Sequence, residues 1–196
     1  MDMYSVVKEN PILAILRNIP LEYTVDYAQA IVDGGISFFE VALNSEHGLK
    51  QIAILRDRFG EKCMIGAGTA ISVDLAKAAI GAGAQFLLTP GTPIDVLQYC
   101  AKKDIMLLFT PGDVATSLEF GYKTMKLFPA GCAPKGYLKA LKGPYDEANY
   151  IAIGGVTIDN INDYFKEGYM GVGLASNLMP LSVLKDRNWG LGVSYV

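Results

Sequence analysis

Eight short apolar runs, each followed by a stretch of more mixed character, constrain this 196-residue chain more than any other feature. The runs are PILAILR (11–17), ISFFEVAL (36–43), CMIGAGT (63–69), AQFLLTPG (84–91), DIMLLF (104–109), KTMKLFPA (123–130), NYIAIGGV (149–156) and YMGVGLAS (169–176). They are rich in β-branched and aromatic residues, and Gly or Pro marks their joints, which reads as strands. Between them lie amphipathic stretches such as LEYTVDYAQAIVDGG, SVDLAKAAIGAG, TPIDVLQYCAKK and IDNINDYFKEG. Several of these end in Gly, as a left-handed C-cap prefers. Strands alternating with helices imply a parallel sheet covered by helices. Eight strands are the number that closes a barrel, so the expected fold is α/β, a single (β/α)8 barrel over residues 1–196. Its last helix is shortened, because LSVLKDRNWGLGVSYV offers Gly-Leu-Gly in place of a full helical segment. An open doubly wound sheet is the runner-up. Its dinucleotide fingerprint is missing, since GAG at 66–68 is followed by Thr69, Ala70 and Ile71 rather than by the third glycine.

Composition narrows the partners. A formal net charge of −3 gives no reason to expect nucleic acid or an anionic membrane. Cys63, Cys100 and Cys132 are widely spaced and the one histidine is His47, so no zinc site and no other metal is expected. Scattered cysteines in apolar settings fit buried thiols in a reducing compartment, which places the protein in the cytoplasm. The N-terminal MDMYSVVKENP has no apolar run of signal length, and no segment approaches the roughly 18 apolar residues of a membrane span.

The chemistry gathers around a lysine. In strand six, Thr124, Lys126 and Phe128 share one face while Met125 and Leu127 take the other. The plain apolar pair suits the helix side, which turns Lys126 toward the barrel axis. In strand two, Phe39, Val41 and Leu43 face the helices, so Phe38, Glu40, Ala42 and Asn44 face the axis. Even-numbered strands share side-chain layers, and Glu40 and Lys126 therefore look into one cavity. Two readings stand at this point. One is a buried ion pair, which stabilises little after desolvation. The other is an amine whose pKa is lowered by apolar surroundings and which condenses with a ketone, with Glu40 moving the protons that such chemistry requires.

Arg17 closes strand one on the face of Leu13 and Ile15, either as a solvated strand end or as a planar fork for a carboxylate. Thr69 closes GAGT as a turn residue or as a donor to substrate. Gly154-Gly155 follows strand seven, and Ala175-Ser176 follows strand eight just before NLMP. Loops after strands seven and eight form the usual phosphate site of such barrels, because backbone N–H groups converge there.

Taken in order and spacing, PILAILR, FFEVALNS, IGAGT, LLTPG, MKLFPA, IAIGGVT and VGLASNL resemble the 2-keto-3-deoxy-6-phosphogluconate and -phosphogalactonate aldolases over roughly residues 8 to 180. The resemblance implies a homotrimeric barrel of class I. Such an enzyme reversibly splits a phosphorylated 2-keto-3-deoxy sugar acid into pyruvate and glyceraldehyde 3-phosphate, as in the Entner–Doudoroff pathway. It needs no cofactor beyond a covalent Schiff base, and some members also act on 4-hydroxy-2-oxoglutarate. It implies Lys126 as the Schiff-base former, Glu40 as proton shuttle and Arg17 at the pyruvyl carboxylate. Thr69, Pro90, Phe128 and Asn44 then contact the substrate, and Gly154, Gly155, Ala175 and Ser176 hold its phosphate.

The chain departs from the family pattern at three places. Ile153 stands where many phosphogluconate enzymes have threonine before the glycine pair, and Asn44 stands where some have arginine or threonine. Both features look more like the phosphogalactonate branch. The P-G-V that usually precedes the next T-P segment is absent between Leu108 and Phe109; a true deletion there distorts one barrel wall and puts activity in doubt, whereas residues merely missing from the sequence do not. Two competing functions remain at this point. One is a phosphate-binding barrel isomerase in which Lys126 only polarises a carbonyl; the other is a non-catalytic metabolite-binding trimer.

Overall fold

A computed structural model describes residues 2–60, 62–175, 178–179 and 181–190. Each of the eight apolar runs contains a strand: β1 (Ile12–Leu16), β2 (Phe38–Ala42), β3 (Met64–Gly68), β4 (Phe86–Thr89), β5 (Met106–Phe109), β6 (Thr124–Leu127), β7 (Asn149–Ile153) and β8 (Gly171–Leu174). The helices that follow them are α2 (Thr24–Asp33), α3 (Gly48–Phe59), α4 (Val73–Gly81), α5 (Ile94–Lys102), α6 (Val114–Glu119), α7 (Tyr137–Lys142), α8 (Ile161–Glu167) and α9 (Leu181–Asp186). A further helix, α1 (Met3–Glu9), precedes the first strand.

The strands pair in parallel in the order β5-β4-β3-β2-β1-β8-β7-β6. Pairing of β1 with β8 joins the beginning of the chain to its end, which an open doubly wound sheet does not do. The sheet therefore curls into a nearly closed barrel. Among the described residues only the β5–β6 edge lacks a ladder. The terse β5–α6 connection lies at that seam, where the sequence leads one to expect a distorted wall.

Alternation sorts the side chains into two cores. Phe39, Val41, Ile65, Met125, Leu127 and Val172 point outward to the helices. Leu13, Ile15, Phe38, Phe86, Leu108 and Ile151 fill the barrel interior. Glycines make room for the larger members of this inner layer. A Cβ on Gly66 would overlap the Phe86 ring, which itself lies 5.0 Å from that of Phe38.

Helix α1 is a plug that the sequence reading did not foresee. Asp2 caps it, accepting a hydrogen bond from the Ser5 N–H at 2.9 Å. Met3, Val6 and Val7 then pack into the interior core. The apolar residues of α1 fit the helical period, but seven residues are too few to register against the longer amphipathic stretches. Gly171 of β8 accepts the plug, since a Cβ there would stand 2.7 Å from Val7 Cγ1.

One local expectation needs correction. Cys63 and Cys100 are buried, but Cys132 is exposed, because the 3-10 turn Ala130–Cys132 carries it to the surface of the β6–α7 connection. Left-handed glycines do follow α2, α4, α6 and α8, at Gly35, Gly83, Gly121 and Gly168. Gly60 after α3 instead stays right-handed at φ −60°. The Gly-Leu-Gly of the C-terminus lies only partly within the described residues.

Candidate active site

All four residues of β6 are buried. Met125 and Leu127 belong to the helix-side core, so the pleat sends Thr124 and Lys126 inward. Lys126 is 7% exposed, and its Nζ lies 5.3 Å from the centroid of the Phe128 ring. Burial pushes its ammonium below the ordinary value, Glu40 opposes that shift, and Arg17 adds to it.

Glu40 stands opposite on β2, 4% exposed. Its neighbours Phe39 and Val41 belong to the outer core and Phe38 to the inner one, as alternation requires. Burial pushes its carboxyl up, against the pull of Lys126 and Arg17. The two groups feel each other without a contact ion pair: no Lys126–Glu40 N···O distance falls within 4.0 Å. A simple buried salt bridge therefore does not describe them. The carboxylate instead lies over Gly68 of β3, where a Cβ would overlap Oε1.

Three further strand ends surround this pair. Arg17 follows Leu13 and Ile15 on the inward face of β1, is exposed, and reaches both charges electrostatically. Thr69 follows β3 at φ +63°, a left-handed conformation that costs a β-branched residue about 1–3 kcal/mol. Its hydroxyl donates to Asn44 Oδ1 at 3.3 Å, bringing together two positions expected at the substrate. Pro90 is exposed immediately after β4.

Gly154 and Gly155 follow β7 at φ +84° and +85°, which only glycine adopts readily. Both positions are also crowded. A Cβ on Gly154 would lie 3.0 Å from the Phe128 ring, and one on Gly155 2.9 Å from Gly131 Cα. The Gly131 N–H donates to the Gly154 carbonyl at 2.8 Å, so the loops after β6 and β7 are laced together beside Lys126. Ala175 packs against the interior core at the end of β8. Ser176 lies outside the described residues.

A buried lysine and a buried carboxylate thus face the barrel interior, and Arg17 and the glycine pair follow the ends of β1 and β7. A family model described as KDPG and KHG aldolase matches residues 3–191. The chain belongs to this family. Among curated relatives, 2-dehydro-3-deoxy-6-phosphogalactonate aldolase of Escherichia coli is 32% identical over 173 residues, covering 86% of this chain and 84% of that protein. The 2-dehydro-3-deoxy-phosphogluconate aldolase of Pseudomonas aeruginosa is 31% identical over 186 residues, covering 91% and 81%. Among solved structures, the KDPG aldolase of Legionella pneumophila, with pyruvate captured at low pH as a covalent carbinolamine, superposes with a TM-score of 0.88. It is 29% identical and covers 97% of this chain and 94% of that one. These relatives favour a KDPG/KHG-type aldolase over the isomerase and the non-catalytic trimer.

Other supports of the KDPG and KHG aldolase site escaped the motif reading. Gly68 clears space for Glu40, and Gly131 backs Gly155. Asn160 braces the β7–α8 loop, accepting from the Thr157 N–H at 2.7 Å and donating to the Gly155 carbonyl at 2.9 Å. A Thr-x-x-Asn spacing just after the glycine pair is the sequence signal that could have found it. Among the described residues no helix is long and apolar enough to cross a membrane.

Proposed function

We propose that the protein is a Schiff-base aldolase that reversibly cleaves a 2-keto-3-deoxy-6-phospho sugar acid to pyruvate and glyceraldehyde 3-phosphate. The observation that carries this reading is the pairing of Lys126 and Glu40, both inside the barrel mouth and electrostatically coupled. Burial makes the neutral amine accessible, and a neutral amine attacks a ketone.

The Lys126 amine adds to C2 of the substrate, giving a carbinolamine. Glu40 delivers the proton with which its hydroxyl leaves as water, forming the iminium. Glu40 then takes the C4 hydroxyl proton, directly or through a water. The C3–C4 bond breaks, its electron pair flows into the iminium, and glyceraldehyde 3-phosphate departs. The resulting enamine is protonated at C3, and water releases pyruvate from Lys126. The face of Phe128 favours the positive charge that this nitrogen carries as the iminium.

Arg17 holds the pyruvyl carboxylate. Asn44 and Thr69 read the sugar hydroxyls, Pro90 and Phe128 wall the pocket, and Gly154, Gly155, Ala175 and Ser176 hold the phosphate. Ile153 and Asn44 favour the galactonate epimer. The active form is a homotrimer in the cytoplasm, serving a sugar-acid route of Entner–Doudoroff type, with no metal or other cofactor. Borohydride reduction in the presence of pyruvate tests the chemistry. A stable pyruvyl adduct on Lys126, absent from Lys126→Met, is expected; cleavage activity with no trappable adduct overturns it.

A further inference from the structure

The residue that follows Arg17 is held in an unusual way. Asn18 adopts φ +56°, and its N–H donates to Ser45 Oγ at 3.0 Å. One residue on, the Ile19 carbonyl accepts from Gln51 Nε2 at 2.8 Å, and the same amide donates to Thr24 Oγ1 at 2.9 Å. Ser45 is 7% exposed, Gln51 1% and Thr24 0%. Ser45 is itself fixed, because its N–H donates to the Ala42 carbonyl and its own carbonyl accepts from the Gly48 N–H. The loop leaving β1 is thus strapped, through buried polar side chains, to the segment that runs from β2 into α3.

Arg17 by contrast forms no hydrogen bond or ion pair with the described residues. No side chain among the described residues orients the guanidinium, so its backbone alone sets where the side chain starts. Buried polar groups are costly unless satisfied, and here two of them, Ser45 and Gln51, bond to the turn immediately after this one arginine, with Thr24 behind Gln51.

We propose that Ser45 and Gln51 are positioning residues for Arg17. They hold the left-handed turn at Asn18 and so fix the point from which the Arg17 side chain reaches toward the substrate carboxylate. This rests on the reading of Arg17 as the carboxylate-binding group. Pre-organisation of this kind lowers the cost of binding and leaves bond cleavage at Lys126 untouched.

The test measures the pyruvate concentration that half-saturates borohydride trapping, together with kcat for cleavage, in Ser45→Ala, Gln51→Met, Arg17→Ala and the double variants. Ser45→Ala is expected to raise half-saturating pyruvate about tenfold, with kcat within about twofold of the parent. Ser45→Thr, which keeps an Oγ, is expected to restore the parent value. In the Arg17→Ala background, Ser45→Ala and Gln51→Met are expected to add less than about twofold, because the group they aim is gone. Equal effects in both backgrounds, or no effect of either single variant while Arg17→Ala weakens pyruvate, overturn the positioning role and leave Arg17 standing. An Arg17→Ala enzyme with unchanged pyruvate saturation overturns the reading of Arg17 and this proposal with it. If Ser45→Ala does not fold, as judged by thermal melting, Gln51→Met carries the same comparison.

Discussion

The Glu40 carboxylate occupies the space where Gly68 would carry a side chain, and a Cβ there would overlap Oε1. The third position of G-A-G is therefore glycine for the sake of an acid on the neighbouring strand, not for its own backbone. Gly68→Ala is expected to fold and to displace the carboxylate. Cleavage should fall about 10²–10⁴-fold, as with Glu40→Gln, and the Glu40→Gln/Gly68→Ala pair should be far from additive. Steady-state cleavage rates of the three variants check this.

The pH profile should report Lys126. Its ammonium is pushed below the ordinary value of 10.5 by burial, and Arg17 contributes to that depression. Removing Arg17 takes away a positive neighbour, so the acid limb of kcat/KM should move to higher pH in Arg17→Gln. The stability consequence has a definite sign. Between the folded-state pKa of Lys126 and 10.5 the unfolded chain binds more protons, so this group makes stability rise with pH across that window. Lys126→Met should lack that part of the rise in denaturant melts over the same range.

Thr69 stores strain at φ +63° while presenting its hydroxyl to Asn44. Thr69→Gly is expected to relax the backbone and raise stability by about 1 kcal/mol. The same change should erode discrimination between gluconate and galactonate epimers, because the hydroxyl is lost. Melting temperature and the ratio of kcat/KM on the two epimers read the two effects separately.

At the glycine pair, Gly155→Ala forces a side chain into φ +85° and against Gly131 Cα. A cost of about 1–2 kcal/mol in stability is expected. If the pair holds phosphate, KM for the phosphorylated substrate should rise at least about tenfold. Trapping of pyruvate, which carries no phosphate, should change little. Parallel losses in both assays would point instead to collapse of the neighbouring Phe128 wall.

Much of this was written in local pattern. Each strand is a contiguous apolar run, and strict alternation in β2 and β6 was enough to turn Glu40 and Lys126 inward. What stayed hidden depends on which strands meet and in what register. Gly68 looks like any loop-end glycine until β2 and β3 are paired with Ala42 opposite it. Ser45 and Gln51 read as ordinary polar residues on the way into a helix, and only the folded chain bonds them to Asn18 and Ile19. Helix α1 was too short to stand out, and the surface position of Cys132 follows from a turn that its apolar neighbours concealed.

The unladdered junction between β5 and β6 has a consequence for connectivity. Read from β6 through β8 and on from β1 to β5, the spatial order of strands is a single consecutive walk from one rim of the sheet to the other. Only the β1–β8 ladder joins strands distant in the native chain, and a circularly permuted protein that begins at β6 and ends at β5 would make even that pairing local. Such a permutant would form every ladder between successive strands, and its lower contact order should let it fold faster than the parent.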